Sequence, residues 1–404
     1  MGTLRLAPAS TDDYRRLAEK RLPRFLFDYI DGGAYDETTL RSNVGDFRAL
    51  GLKQRVMRDV SDLDTGIDLL GERWTMPLAL SPVGLAGMMA RRAETQAVRA
   101  AEAAGIPFCL STVGICSLEE VATVATRPFW FQLYMLRDRG HVRDLVARAA
   151  AVGCRTLVLT VDLSVVGARY RDVRNGLSGG TTLWGKLRGR FGEVLLHPRW
   201  GWDVGVRGRP HVFGNLTEYV RDASSPEDFR GWIDSQFDPG VTWDDIEWLR
   251  GMWGGRIVVK GVLDPEDAVT AAERGADAVV VSNHGGRQLD GVASTIRMLP
   301  KVVDAAGDRT EVLVDSGIRS GQDVLRAVAC GAKAAMMGRP WVWALAARGE
   351  SGLRALLETF RSELRVTMAL TACTTIAGVT ADVLDLGPDQ EPGRTSTGAG
   401  DGVT

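Results

Sequence analysis

The chain has 404 residues, 45% hydrophobic and 25% charged, with a formal net charge of −2. That length buries a large core without a disulfide or metal staple, and the near-neutral balance leaves no basic excess for a nucleic-acid partner. Five scattered cysteines (Cys109, Cys116, Cys154, Cys330, Cys373) show neither a CxxC pair nor a Cys/His metal spacing, and read as small buried hydrophobes in a reducing compartment.

Residues 1–23 alternate charge with short apolar patches and carry no apolar core before a cleavage site. No run approaches a bilayer span, so the sequence predicts a cytoplasmic location. Phe25-Leu26-Phe27-Asp28-Tyr29 reads as a helix ahead of the main repeat. From residue 76 onward, eight β-rich runs alternate with helix-like stretches: Met76–Ser81, Phe108–Ser111, Trp130–Tyr134, Thr156–Asp162, Arg256–Lys260, Ala278–Ser282, Glu311–Asp315 and Ala334–Gly338. Between them, Ala93–Gly105, Asp264–Gly275 and Gly321–Gly331 place apolar residues at helical spacing and close on glycine.

Eight such units predict an α/β fold, a TIM (β/α)8 barrel over about residues 75–370, inside one domain covering 1–385. An N-terminal helical extension precedes the barrel, and an insertion of about 175–245 follows its fourth strand, far longer than an ordinary βα loop. A doubly wound sheet would want GxGxxG after its first strand, and none follows Ser81. Residues 387–404, rich in Gly, Thr, Pro and Asp, are predicted to be disordered.

Each run ends in or beside a polar residue: Ser81, Ser111, Gln132 and Tyr134, Thr160 and Asp162, Lys260, His284 and Arg287, Asp315, and Gly338-Arg339. In a TIM barrel all strand C-termini open onto one face, so these residues would converge. Polar residues also end strands simply because loops are wet, which is the bland reading of any one of them. The most informative stretch is Ser282 to Asp290, Ser-Asn-His-Gly-Gly-Arg-Gln-Leu-Asp. His284 can accept a proton near neutral pH, and Arg287 can grip a carboxylate bidentately. The loops after the seventh and eighth runs, Asp315-Ser316-Gly317-Ile318-Arg319 and Gly338-Arg339-Pro340, stand where such barrels bind phosphate, with Pro340 suited to open a short helix.

These segments, with Phe27–Ala34, Trp130–Tyr134 and Val281–Gly291, resemble the FMN-dependent 2-hydroxy acid dehydrogenases and oxidases over roughly residues 11–385. Bacterial L-lactate dehydrogenases are the nearest branch, and mandelate dehydrogenases the next. The resemblance implies FMN as cofactor, with its phosphate and ribityl chain at Asp315, Gly317, Arg319, Gly338 and Arg339. Its ring would lie over Pro82, Val83 and Gly84, with hydrogen bonds from Ser111, Gln132 and Thr160. Lys260 would face the edge where reduction leaves negative charge. Tyr29, Tyr134, Arg169 and Arg287 would line the substrate, with His284 as the base and Asp162 stabilising its imidazolium. A homotetramer is also implied.

The implied reaction turns an L-2-hydroxy acid, L-lactate first, into the 2-oxo acid, with electrons passing to quinone or another respiratory acceptor. Mandelate-type substrates or oxygen as acceptor form the alternative reading, and a non-redox phosphate-binding barrel is the alternative from another class. Val113, where soluble oxidases of the family carry tryptophan, and Gly84, where several carry alanine, are expected to widen the pocket. Within the insertion, Trp184, Phe191, Trp200 and Trp202 interleave with Lys186, Arg188, Arg190, Arg199, Arg207 and Arg209. That pattern fits either an anionic membrane surface, placing the protein peripherally on the inner face, or a lid packed on the barrel.

Overall fold

The β-rich runs become eight parallel strands in a computed structural model, which describes residues 7–175, 192–219 and 235–385. They are β1 (Leu78–Leu80), β2 (Cys109–Ser111), β3 (Trp130–Tyr134), β4 (Thr156–Thr160), β5 (Arg256–Val262), β6 (Ala278–Val281), β7 (Glu311–Val314) and β8 (Ala334–Met337). Each strand pairs with its sequence neighbour from β2 to β8, β8 pairs with β1, and a parallel bridge from Leu80 to Phe108 closes the ring. The TIM barrel expected from the sequence is therefore the observed architecture.

Side chains alternate along a strand, so one set points into the barrel and the other toward the helices. The inner set is Ala79, Cys109, Trp130, Val158, Val258, Ala278, Val280, Leu313, Ala334 and Met336, all buried. A hairpin, Ile67–Leu69 with Glu72–Trp74, plugs the N-terminal end by packing Leu69 and Trp74 into this layer, with the Trp74 and Trp130 rings 5.5 Å apart. Two residues further along the same inward rows stand Ser81, Ser111, Gln132, Thr160, Lys260, Ser282 and Asp315. The period of two thus places an apolar floor beneath a polar ring at the C-terminal mouth.

Helices α1 (Thr11–Arg21), α2 (Arg24–Asp31) and α3 (Thr38–Ala49) precede the barrel. Its outer ring includes α4 (Ala93–Ala104), α5 (Arg139–Ala151), α6 (Pro265–Glu273), α7 (Thr295–Ala306), α8 (Gly321–Ala329) and α9 (Arg339–Leu370). Side-chain caps explain several starts: Asp138 accepts from Gly140 N, Asp264 from Glu266 N and Ser320 from Asp323 N. Helix α9 begins at Arg339, so Pro340 is its second residue and not its first, and the chain breaks at Gly349 before the helix resumes. The fifth strand also runs past its expected end at Lys260 to Val262, through an irregularity at Gly261. Gly261 has φ +111°, and a Cβ there would lie 2.7 Å from the Asp162 side chain, so only glycine admits that carboxylate.

The expected disorder of 387–404 lies outside the described residues, as do Trp184, Lys186, Arg188, Arg190 and Phe191. Of the singled-out insertion tryptophans, Trp200 and Trp202 are described, and Trp200 departs from a membrane-facing role. It is buried, and its indole Nε1 donates to Met88 O at 2.8 Å, because packing on the barrel satisfies both its ring and its N–H. Trp202 is 62% exposed.

Helix α3 is fixed to the segment after β6 by a reciprocal amide pair. Asn43 Nδ2 donates to Asn283 Oδ1 and Asn283 Nδ2 to Asn43 Oδ1, both at 2.8 Å and both buried. Asn43→Leu removes both bonds of this pair and the acceptor of buried Thr295 N, leaving Asn283 only Gly286 N and Ala293 O. It is expected to lower stability by about 1–3 kcal/mol in denaturant titration; an unchanged midpoint would remove this pair from the fold's support.

Candidate active site

A cavity of about 540 Å³ opens at the C-terminal mouth of the barrel. Its wall brings together Tyr29, Pro82, Val83, Gly84, Tyr134, Thr160, Arg169, Lys260, His284, Arg287, Asp315, Gly317, Arg319, Gly338 and Arg339. Of the remaining residues singled out by sequence, Ser111 and Gln132 are buried and bonded to each other, and Asp162 is bonded to His284.

His284 adopts φ +57°, a left-handed conformation uncommon for a residue with a side chain. Its amide donates to Ser282 Oγ at 3.1 Å, which helps hold the turn. Its Nδ1 lies 2.8 Å from Asp162 Oδ1, leaving Nε2 as the ring nitrogen for proton exchange in the cavity. Burial pushes the Asp162 carboxyl up, but His284 and then Lys260 outweigh it and hold it below the usual carboxylate value. Asp162 is therefore an anion hydrogen-bonded to the His284 ring.

Lys260 is buried, with Nζ 2.8 Å from Asp315 Oδ2 and 2.9 Å from Ser282 Oγ. Burial lowers its ammonium, yet Asp315 and then Asp162 raise it overall, so it stays charged deep in the mouth. The Tyr134 hydroxyl is pushed up from its ordinary value by burial, with Asp162 adding to the shift, and its ring meets Phe237 edge-on at 5.0 Å. It is a neutral donor.

Tyr29, on α2, lies between two guanidinium groups, with Arg287 Cζ 4.9 Å and Arg169 Cζ 5.5 Å from its ring centroid. Arg287 is pushed down to about 10 by burial and then by Arg169. Arg319 is likewise at about 10, through burial. Arg339 falls well below its ordinary value through burial and then through Arg287 and Arg319. Three half-buried cations, of which Arg287 and Arg319 depress Arg339, form a site that an anion would relieve.

The donor set fits FMN. Buried Ser81 Oγ, Gln132 Nε2, Thr160 Oγ1 and Asp162 Oδ2 have no hydrogen-bond partner among the described residues, and buried polar atoms in native proteins are seldom left so. Gln132 is oriented for this: its Oε1 accepts from Ser111 Oγ at 3.0 Å, so Nε2 is the free end. Ser81, Gln132 and Thr160 suit the amide-like edge of a flavin ring, Lys260 suits its developing charge, and the arginine cluster suits a phosphate. The expected widening at Gly84 and Val113 is only half present. A Cβ at 84 would lie 2.6 Å from Val113 Cγ2, so the Val113 methyl occupies the space that Gly84 leaves.

Sequence reasoning missed several contributors. Ser282 supports both Lys260 and His284, and its place on the inward row of β6 was a usable signal. Gln288, in the same motif, donates to Asp162 O and Val165 O, both at 2.9 Å, and its Oε1 accepts from Gly167 N at 3.2 Å. It ties the Asp162 loop to the His284 loop. Phe237 arrives from the far end of the insertion, and nothing local in the sequence marked it.

The chain matches a family model described as FMN-dependent dehydrogenase over residues 18–386. It is 54% identical over 376 residues to an L-lactate dehydrogenase of Alcaligenes faecalis, covering 93% of this chain and 98% of that relative. Among solved structures, the monotopic membrane protein (S)-mandelate dehydrogenase aligns with a TM-score of 0.88 at 36% identity, over 94% of this chain and all of that one (100%). A mandelate oxidase aligns at 0.78 with 37% identity, over 94% and 98% of the two chains. A barrel mouth that fits a flavin and its phosphate, found with this extent of similarity, places the chain in the FMN-dependent dehydrogenase family, an oxidoreductase with FMN as its cofactor.

Proposed function

We propose that the protein oxidises an L-2-hydroxy acid, L-lactate first, to the 2-oxo acid and passes the electrons to quinone or another respiratory acceptor. The observation that carries this reading is one cavity faced by both a His284–Asp162 pair and the Arg287–Tyr29 pair. Bound FMN supplies the two-electron acceptor for the substrate carbon. Arg287 holds the carboxylate, its planar fork fixing which way the α-carbon presents itself. The Tyr29 hydroxyl shares that carboxylate, while neutral Tyr134 and Arg169 orient the hydroxyl end. His284 Nε2 accepts a substrate proton, and the Asp162 anion stabilises the imidazolium. Lys260 would lend positive charge to the cofactor edge, Gln132 and Thr160 would hold that edge, and Ser111 would orient Gln132 through its hydrogen bond.

A mandelate-type substrate is the second reading. It is favoured by Val113 in the pocket wall and by the likeness to (S)-mandelate dehydrogenase. An anaerobic visible spectrum recorded before and after L-lactate, D-lactate and L-mandelate separates the two, and peroxide release under air marks oxygen as the acceptor. Family membership removes the non-redox barrel.

The proposed acceptor belongs with a peripheral membrane position. Among the described residues no helix is long and apolar enough to cross a membrane. Leu195, Leu196 and Trp202 are 78%, 75% and 62% exposed, beside exposed Arg199, Arg207 and Arg209, a pattern suited to an anionic interface. A homo-oligomer, tetrameric by resemblance, is part of the same proposal.

Three outcomes are expected. His284→Ala keeps its yellow FMN but is bleached by substrate roughly two to four orders of magnitude more slowly; bleaching within about tenfold of the parent would take His284 out of the reaction. Arg319→Ala weakens FMN much more than riboflavin, measured by recovery of free-flavin fluorescence, because the lost contact is to phosphate; equal losses would place Arg319 elsewhere. Replacing Leu195, Leu196 and Trp202 with Ser abolishes sedimentation with anionic vesicles while bleaching in solution persists. In the parent, binding weakens with salt, at about 1 kcal/mol per basic residue near the surface, and a parent that never sediments would end the membrane proposal.

A further inference from the structure

Helix α2 carries Tyr29 but has no basic residue in its own last turn. The final carbonyls of a helix lack intrahelical partners and carry partial negative charge. Here two half-buried arginines from the barrel mouth supply the missing donors. Arg339 Nε donates to Ile30 O at 3.1 Å and Asp31 O at 3.2 Å, and its Nη2 to Gly32 O at 2.8 Å. Arg287 Nη1 donates to Tyr29 O at 2.5 Å and Gly32 O at 3.0 Å.

The same Arg339 also reaches the loop that bears the base, its Nη1 donating to Gly285 O at 2.9 Å. Gly285 has φ +69°, and a Cβ there would lie 2.6 Å from Arg339 Nη1, so the contact requires glycine. The two backbones meet directly alongside: Ala34 N donates to Gly286 O at 2.7 Å. One guanidinium therefore spans the end of the Tyr29 helix and the loop between His284 and Arg287, while lining the cavity beside Gly338 and Arg319.

We propose that Arg339 is a positioning residue that joins the cofactor-phosphate end of the cavity to the substrate-carboxylate end, setting Tyr29 and Arg287 against the substrate. This rests on the 2-hydroxy acid reading for the identity of the carboxylate, but not on which acid it is. A phosphate beside Arg339 favours the geometry that binds a carboxylate, and by linkage a bound carboxylate favours the phosphate. If Arg339 were a phosphate ligand and nothing more, its loss would weaken FMN alone.

The test compares parent holoenzyme, Arg339→Lys, Tyr29→Phe and the double variant, all at saturating FMN. Flavin fluorescence gives FMN affinity, perturbation of the flavin spectrum gives the affinity for oxalate as a non-oxidised carboxylate probe, and steady-state rates give KM and kcat. A point ammonium cannot span four carbonyls, so Arg339→Lys is expected to raise KM and the oxalate dissociation constant roughly tenfold or more, with a smaller change in kcat. Tyr29→Phe should then add little when it is combined with Arg339→Lys, because Tyr29 is already displaced in that background. Unchanged oxalate affinity with weakened FMN, or fully additive effects, overturns the proposal. Should Arg339→Lys fail to fold, Gly285→Ala displaces the guanidinium without removing its charge, and the same rise in KM is expected; an unchanged KM overturns it. Coupling seen with oxalate in a parent that no 2-hydroxy acid bleaches would sink the substrate reading and leave this inference standing.

Discussion

Closure of a parallel ring with a side-chain period of two is the constraint on which everything else rests. Once Leu80 bridges Phe108, no strand has a free edge and every inward residue has a fixed height in the barrel. Below, Trp130, Val158, Val258, Val280, Leu313 and Met336 form an apolar floor sealed by the hairpin at Trp74. Above it, the next inward positions carry hydroxyl, amide, ammonium and carboxylate groups. Since all strands run the same way, these groups share one mouth. The rigid floor also sets the dielectric problem that the mouth must solve: Lys260 remains charged there because Asp315 stands 2.8 Å away and Ser282 completes its bonding.

Charge is distributed unequally across that mouth. The acids nearest the chemistry are already engaged, Asp162 with His284 and Asp315 with Lys260. Arg287, Arg319 and Arg339 donate to backbone carbonyls instead, burial depresses all three, and Arg287 and Arg319 lower Arg339 further. Asp31 balances part of this, but its carboxylate is bound bidentately by Arg15 at 2.6 and 2.7 Å and again by Arg171 at 2.9 Å. The surplus cation is thus built in, and it suits the phosphate and carboxylate proposed to bind there. Two of these guanidinium groups, Arg287 and Arg339, also anchor the end of helix α2.

Loops outside the ring convert this charged cavity into a selective one. Gln288 staples the segment after β4 to the His284 loop, and Gly261 makes room for the Asp162 carboxylate between strands. Phe237 and Tyr134 close one wall, while Trp200 pins the insertion to Met88. The polar groups stand at the strand ends, and the insertion adds wall residues such as Phe213 and Phe237 to the same cavity.

Much of this was legible in the residues themselves. Eight short β-rich runs, helices ending at Gly105, Gly275 and Gly331, and polar residues at the strand ends are local signals, set by periodicity and backbone preference, and they predicted the barrel and which face would carry chemistry. The His284–Arg287 spacing and the two phosphate loops are likewise contiguous in sequence. What only the tertiary structure decided involves residues brought together across long separations. Trp200 turned inward because Met88 offers an acceptor, Val113 filled the space beside Gly84, and Arg339 turned its donors to the end of α2, more than 300 residues away in sequence (Arg339 Nε to Ile30 O, a separation of 309). Such contacts depend on where two distant segments meet in space, and a one-dimensional pattern of polarity holds no record of that distance.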